Sequence, residues 1–190
     1  IPSINIGYDN IGHPIQSLFD FYIMDYYYKI YTFKNVNKIL IIGDINQNNI
    51  KSLIYLIFKF TDALINIINT NSNQDTLRDW IIKFPMFKNN DLYKLSSINY
   101  INNTEYIDYD IIYITKFDEN ENKSLDLMNF YINDDFFRKI NRNAIIINSL
   151  IDLPEINNII LNDYRCINED YKKKSNAVLK SIINYLLFTI

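Results

Sequence analysis

A chain of 190 residues is long enough for one sizeable core or two small domains, and a net charge of −3 is a poor match to a nucleic-acid surface. With 48% hydrophobic and 22% charged residues, it has the balance of an ordinary globular domain. One cysteine, Cys166, excludes an internal disulfide framework, and one Cys with one His cannot build a zinc site of the usual kinds.

Ile, Asn, Lys and Tyr dominate throughout, so the sequons at Asn102 and Asn122 are expected by chance. The start lacks the basic residues and apolar run of a secretory signal. Opening at Ile1 rather than Met is expected of a fragment, a processed product or an excised domain.

The first twenty residues hold the sole histidine, His13, followed by Pro14, Gln16 and Asp20. Proline suits the first helical turn, because its fixed φ fits and its missing N–H is not needed there. His13 then stands at a helix N-terminus, where backbone N–H groups and the dipole favour a polar or anionic ligand. The loop of Asn5, Gly7, Asp9, Asn10 and Gly12 leads into it.

Leu18, Phe19, Tyr22, Ile23 and Tyr26 recur at helical spacing and predict a helix over 14–33. KILIIGD (38–44) is a β-branched run of the kind buried on both faces of a sheet. NNIKSLIYLIFKF (48–60) predicts a helix with an Asn cap. ALINIINT (63–70) is a second strand, and TLRDWIIKF a helix stopped by Pro85. LYKLSSI (92–98) is a weaker strand candidate, and YDIIYITKF (109–117) another buried strand. NDDFFRKI (133–140) reads as helix and NAIIINSL (143–150) as the last strand. The C-terminal apolar run is interrupted by Lys180 and Asn184 and falls below the ~18 residues of a membrane span. It predicts a closing helix over 172–188.

Alternating strands and helices, with strands apolar on both faces, predict a three-layer αβα domain with a parallel sheet of about five strands, Rossmann-like in form. Ligands bind such sheets at the carboxyl ends of the strands, here 43–48, 69–74, 115–118 and 148–152.

The turn GDINQN lacks the glycines of a dinucleotide fingerprint, leaving a Rossmann-type methyltransferase supported by topology alone. No nucleophile elbow supports Ser-His-Asp catalysis. Asp108, Asp110, Asp134 and Asp135 read as turn or cap residues, and Lys172, Lys173 and Lys174 as a solvated helix face. Trp80 falls on a core pattern, and Cys166 reads as a small buried hydrophobe.

INIGYDNIGHPIQSLFD resembles the aspartate carbamoyltransferase family, whose interdomain helix opens close to I-N-A-G-D-G-x-x-x-H-P-T-Q-x-L-L-D; Asn5, Gly7, His13, Pro14, Gln16, Leu18 and Asp20 match. Ornithine enzymes share the His-Pro-x-Gln core but less of the lead-in. KILIIGDINQNNIKSL, YDIIYITKFDEN, the run ending NSLIDLPEI and the terminal DYRCINEDYKKKSNAVLKSIINYLL follow further family blocks in order.

The resemblance implies a second, aspartate-side domain over 1–190, with the interdomain helix at 14–33 and the C-terminal helix at 172–188. The carbamoyl-phosphate domain with its Ser-Thr-Arg-Thr site is absent from this chain. It implies a cytoplasmic transferase of pyrimidine synthesis, taking carbamoyl phosphate and aspartate, needing no cofactor or metal, assembling as a homotrimer and touching neither nucleic acid nor membrane. His13 would bind the carbamoyl oxygen as the catalytic residue, Gln16 the carbamoyl amino group, and Leu150 would lie in the loop beside carbamoyl phosphate. First and last helices made to pack on another domain would expose Phe19, Tyr22 and Leu186.

The aspartate half departs from the pattern. Asn48 stands near the arginine for the α-carboxylate, Lys116 replaces the side-chain arginine, and Asp118 replaces its partner glutamine. Asn148, Ser149 and Leu150 replace His-Pro-Leu, and Asp152 the arginine after it. Lysine keeps the charge but loses bidentate geometry. Arg to Asn loses a charge-assisted pair of roughly 1.5–3 kcal/mol. Two readings stand: a divergent aspartate carbamoyltransferase inactive as this chain alone, or a decayed relative kept as a structural or regulatory subunit.

Overall fold

The computed structural model describes residues 13–32, 35–70, 98–100, 108–117, 132–148 and 162–188. Helix α1 (Pro14–Thr32) begins at the proline, and the Ser17 N–H donates to the His13 carbonyl at 3.1 Å. Strand β1 (Lys38–Gly43) is buried after its first residue. Helix α2 (Asn48–Phe60) has the expected bounds, but its cap differs. Gln47 holds that position, without a capping side-chain bond, and Asn48 is the first helical residue.

Strand β2 (Leu64–Asn69) follows, then β3 (Ile98–Tyr100), which shares only Ile98 with LYKLSSI. Residues 92–97, Trp80 and both sequons lie outside the described residues. After β4 (Ile111–Ile114) comes the short α3 (Asp134–Lys139). Asn133 caps α3 by accepting from the Phe136 N–H, with Asp134 and Asp135 in the first turn and Arg138 and Lys139 in the last, as the helix dipole favours. Strand β5 (Ile145–Asn148) precedes α4 (Asn168–Phe188), which begins four residues before the expected 172.

The five strands are all parallel, in the order β3-β2-β1-β4-β5. Alternation along them builds two cores. Ile39, Ile41, Ile65, Ile67, Tyr113 and Ile147 pack beneath α1 and α2. Leu40, Ile42, Ile112, Ile114 and Ile146 face the other way, against Phe117, Phe136 and Ile140. Helices therefore cover both faces, as continuous apolar strands require. The layers are the expected αβα.

Asp110 fastens the amino end of the sheet. It accepts from the Asn37 and Lys38 N–H groups at 2.8 and 3.0 Å and from the Tyr28 hydroxyl of α1. The edge of β5 is covered by residues 165–167, which bond Ile146 on both its N–H and its carbonyl. Cys166 is half-buried against the second core. Lys174 departs from a fully solvated face, since its ammonium sits 3.6 Å from the Tyr26 ring centroid and links α4 to α1.

Candidate functional site

β1 ends at Gly43 with φ +133°, a conformation side chains disfavour. The chain passes so close to the exit of β4 that an added Cβ would lie 2.6 Å from Thr115 Cγ2 and 2.7 Å from the Thr115 carbonyl oxygen. The Asp44 N–H then donates to the Lys116 carbonyl at 2.7 Å. Gln47 clamps the same junction: its Nε2 donates to that carbonyl at 3.1 Å, and its Oε1 accepts from Thr115 Oγ1 at 3.3 Å. The β1–α2 turn and the β4 exit thus form one rim at the carboxyl end of the sheet.

The N-terminus of α1 is fastened to the first turn of α2 beside this rim. The His13 N–H donates to Ser52 Oγ at 3.1 Å, and Ser17 Oγ donates to the carbonyls of His13 and Asn49 at 2.8 and 2.9 Å. His13 is exposed and Gln16 half-buried. Gln16 Nε2 donates to Asp20 Oδ1 at 3.2 Å, and Tyr113 Oη of β4 donates to Asp20 Oδ2 at 2.8 Å. Asp20 and Tyr113 are fully buried.

His13, Gln16 and Asn48 are thus gathered around two neighbouring helix starts, and the backbone of exposed Lys116 is bonded into the same rim. Lys51, in the first turns of α2, has its ammonium pKa lowered by burial, while Asp44 pulls it back up. Asn148 is buried at the end of β5. Asp118, Ser149, Leu150 and Asp152 lie outside the described residues. Among the described residues no three His, Cys, Asp or Glu side chains are grouped to hold a metal ion, and no helix is long and apolar enough to cross a membrane.

Ser17, Gln47, Ser52 and Tyr113 were not legible as parts of this site. Their partners lie 32 to 93 residues away in the chain, and no local pattern announces such contacts. A cleft of about 210 Å³ beside Arg142 and Tyr164 opens at the other end of β5, away from the rim.

No protein-family model matches the sequence, and no curated protein matches it. Solved structures do. An aspartate transcarbamoylase from Trypanosoma cruzi, in complex with carbamoyl aspartate and phosphate, superposes over 90% of this chain with a TM-score of 0.65 and 16% identity. An ornithine transcarbamoylase from Giardia lamblia superposes over 96%, with a TM-score of 0.70 and 13% identity. The fold is that of the transcarbamoylases. The Trypanosoma cruzi enzyme in complex with N-(phosphonacetyl)-L-aspartic acid matches over 92% of this chain, with a TM-score of 0.65 and 16% identity. This chain spans 54% to 62% of the length of those three transcarbamoylases.

Proposed function

We propose that this chain is the second, aspartate-side domain of a divergent carbamoyltransferase. The observation that carries the reading is the placement of His13 and Gln16: both stand at the start of α1, which His13 and Ser17 bond to the beginning of α2, in a transcarbamoylase fold. In this reading the His13 imidazole stabilises charge developing on the carbamoyl oxygen, and Gln16 holds the carbamoyl amino group. The two helix N-termini add favourable dipoles for a polar substrate. Aspartate is the acceptor favoured by the lead-in of Asn5 and Gly7. Lys116, Asn48 and Asp118 occupy the positions that would hold it, and Leu150 the loop beside carbamoyl phosphate. Phosphate binding belongs to a second domain outside this chain, and subunits assemble as a trimer in the cytoplasm.

A longer protein carrying this chain, supplied with carbamoyl phosphate and aspartate, is expected to form carbamoyl aspartate. His13→Ala should lower kcat by about 10²–10³, the usual loss of one oxyanion donor, and the 190 residues alone should give no turnover. Absence of turnover together with absence of binding to N-(phosphonacetyl)-L-aspartic acid would sink the enzyme reading. The loss of both arginines, at Asn48 and Lys116, favours the second reading, a decayed subunit that keeps the fold without the transfer.

A further inference from the structure

At the amino end of β5 two tight turns meet. In one, the Asn143 N–H donates to Asn141 Oδ1 at 2.9 Å and the Ala144 N–H to the Asn141 carbonyl at 3.0 Å. In the other, the Arg165 N–H donates to Asp163 Oδ1 at 2.9 Å and the Cys166 N–H to the Asp163 carbonyl at 3.0 Å. Asn and Asp close such turns with their own side chains, so both walls are fixed locally. The cleft of about 210 Å³ lies here, lined by Arg142, Ala144, Ile145, Tyr164, Arg165 and Ile167. Ala144, Ile145 and Ile167 are core residues and give it an apolar floor.

Tyr164 is 75% exposed, yet it is held at both ends. Its hydroxyl donates to the Arg142 carbonyl at 3.0 Å, and the Arg165 Cζ sits 5.3 Å from its ring centroid. Arg165 in turn donates to both oxygens of Asp163, so the charges of that pair are spent on each other. Arg142 is the opposite case. It is exposed, and its guanidinium makes no hydrogen bond or ion pair among the described residues. A ring already fixed in place loses little freedom when a ligand packs on it. A free guanidinium can grip a carboxylate with two parallel hydrogen bonds. The volume falls below the ~300–1,000 Å³ of drug-sized sites, so the ligand is small.

We propose that the cleft at the amino end of β5 is a ligand site for a small aromatic carboxylate, with the ligand ring on Tyr164 and the apolar floor and its carboxylate on Arg142. The site lies at the opposite end of β5 from the rim and stands whether or not the rim transfers a carbamoyl group.

Three probes separate ring from charge: 3-phenylpropionate has both, 3-phenyl-1-propanol the ring alone and propionate the charge alone. In NMR titrations of the 190-residue chain, 3-phenylpropionate should give saturable shifts at the methyl signals of Ala144, Ile145 and Ile167. The alcohol and propionate should each bind about tenfold more weakly, the worth of one charge-assisted contact or one ring face. Arg142→Gln should bring the acid down to the level of the alcohol and leave the alcohol within about twofold of its wild-type affinity. Tyr164→Leu should weaken acid and alcohol alike, by about two- to tenfold. Both substitutions fall on exposed side chains, so the fold should hold, and an unchanged urea midpoint checks it. Failure of 3-phenylpropionate to saturate those signals overturns the site. So does propionate binding as tightly as the aromatic acid, or a preference for acid over alcohol that survives Arg142→Gln.

Discussion

Arg165 is nearly buried, and its guanidinium is engaged on every nitrogen. Its Nε and Nη2 donate to the two oxygens of Asp163 at 2.8 and 2.6 Å, and its other hydrogens reach the carbonyls of Phe137 and Ile140 at 2.9 and 3.2 Å. One side chain thus ties the end of α3 to the segment covering β5. Burial alone would push the Asp163 pKa up, but the hydrogen bonds and charge of Arg165 outweigh it and hold the carboxyl below its ordinary value. The hydrogen bonds that Arg165 donates to Asp163 correspondingly raise the Arg165 pKa against the opposing effect of burial. A depressed carboxylate contributes stability above its unfolded pKa and loses it as pH falls through the folded value. Urea unfolding should therefore show a loss of stability below about pH 4 that is smaller in Asp163→Asn. Arg165→Met removes the side-chain partner of the half-buried Asp163 carboxylate, which keeps the backbone N–H of residue 165, and should cost about 1–3 kcal/mol at neutral pH. An equal acid slope in both proteins would show that the pair does not carry the effect.

At the scale of elements, the turn after β1 decides whether the rim can form. Gly43→Ala would place a methyl group 2.6–2.9 Å from atoms of Thr115 and the Lys116 carbonyl, two of them backbone, at a φ of +133°. Strain and overpacking together should cost about 3 kcal/mol or more, read as a lower urea midpoint. The same turn marks what could be read from the chain. β1 and α2 were legible almost to the residue, because an apolar run ending in glycine and a 3.6-residue period are local signals. The start of α4 was not: Asn168, Glu169 and Asp170 carry no apolar period, so the pattern begins late. Of the site, His13 and Gln16 were legible through the string around them. The Gln47 clamp and the Asp20–Tyr113 bond were not, since tertiary pairing across 68 to 93 residues leaves no trace in spacing. Lys116 could be named as a substituted arginine, yet its backbone carbonyl, which any residue would supply, is what holds the rim together.

For the molecule as a whole, the helix that closes the chain poses the remaining question. α4 is fastened to α1 through Lys174 over Tyr26, but towards its end Tyr185, Leu187 and Phe188 are 64%, 65% and 83% exposed. Tyr22 and Ile30 add exposed apolar surface on α1, while Phe19 is half-buried and the Leu186 side chain lies outside the described residues. Clustered apolar surface of this kind favours association. Under the proposed reading it is the surface a further domain would cover, in keeping with a chain about half as long as the transcarbamoylases it superposes on. The triple variant Tyr185→Lys, Leu187→Lys and Phe188→Lys separates surface from core. Surface substitutions remote from packing stay within about 0.5 kcal/mol, so the urea midpoint should hold. In sedimentation velocity, the wild type should rise in average mass with concentration, and the triple variant should show a weaker rise. A midpoint lowered by the equivalent of several kcal/mol would instead mean that these three side chains help hold the isolated fold together, and the covered-surface reading of α4 would fall.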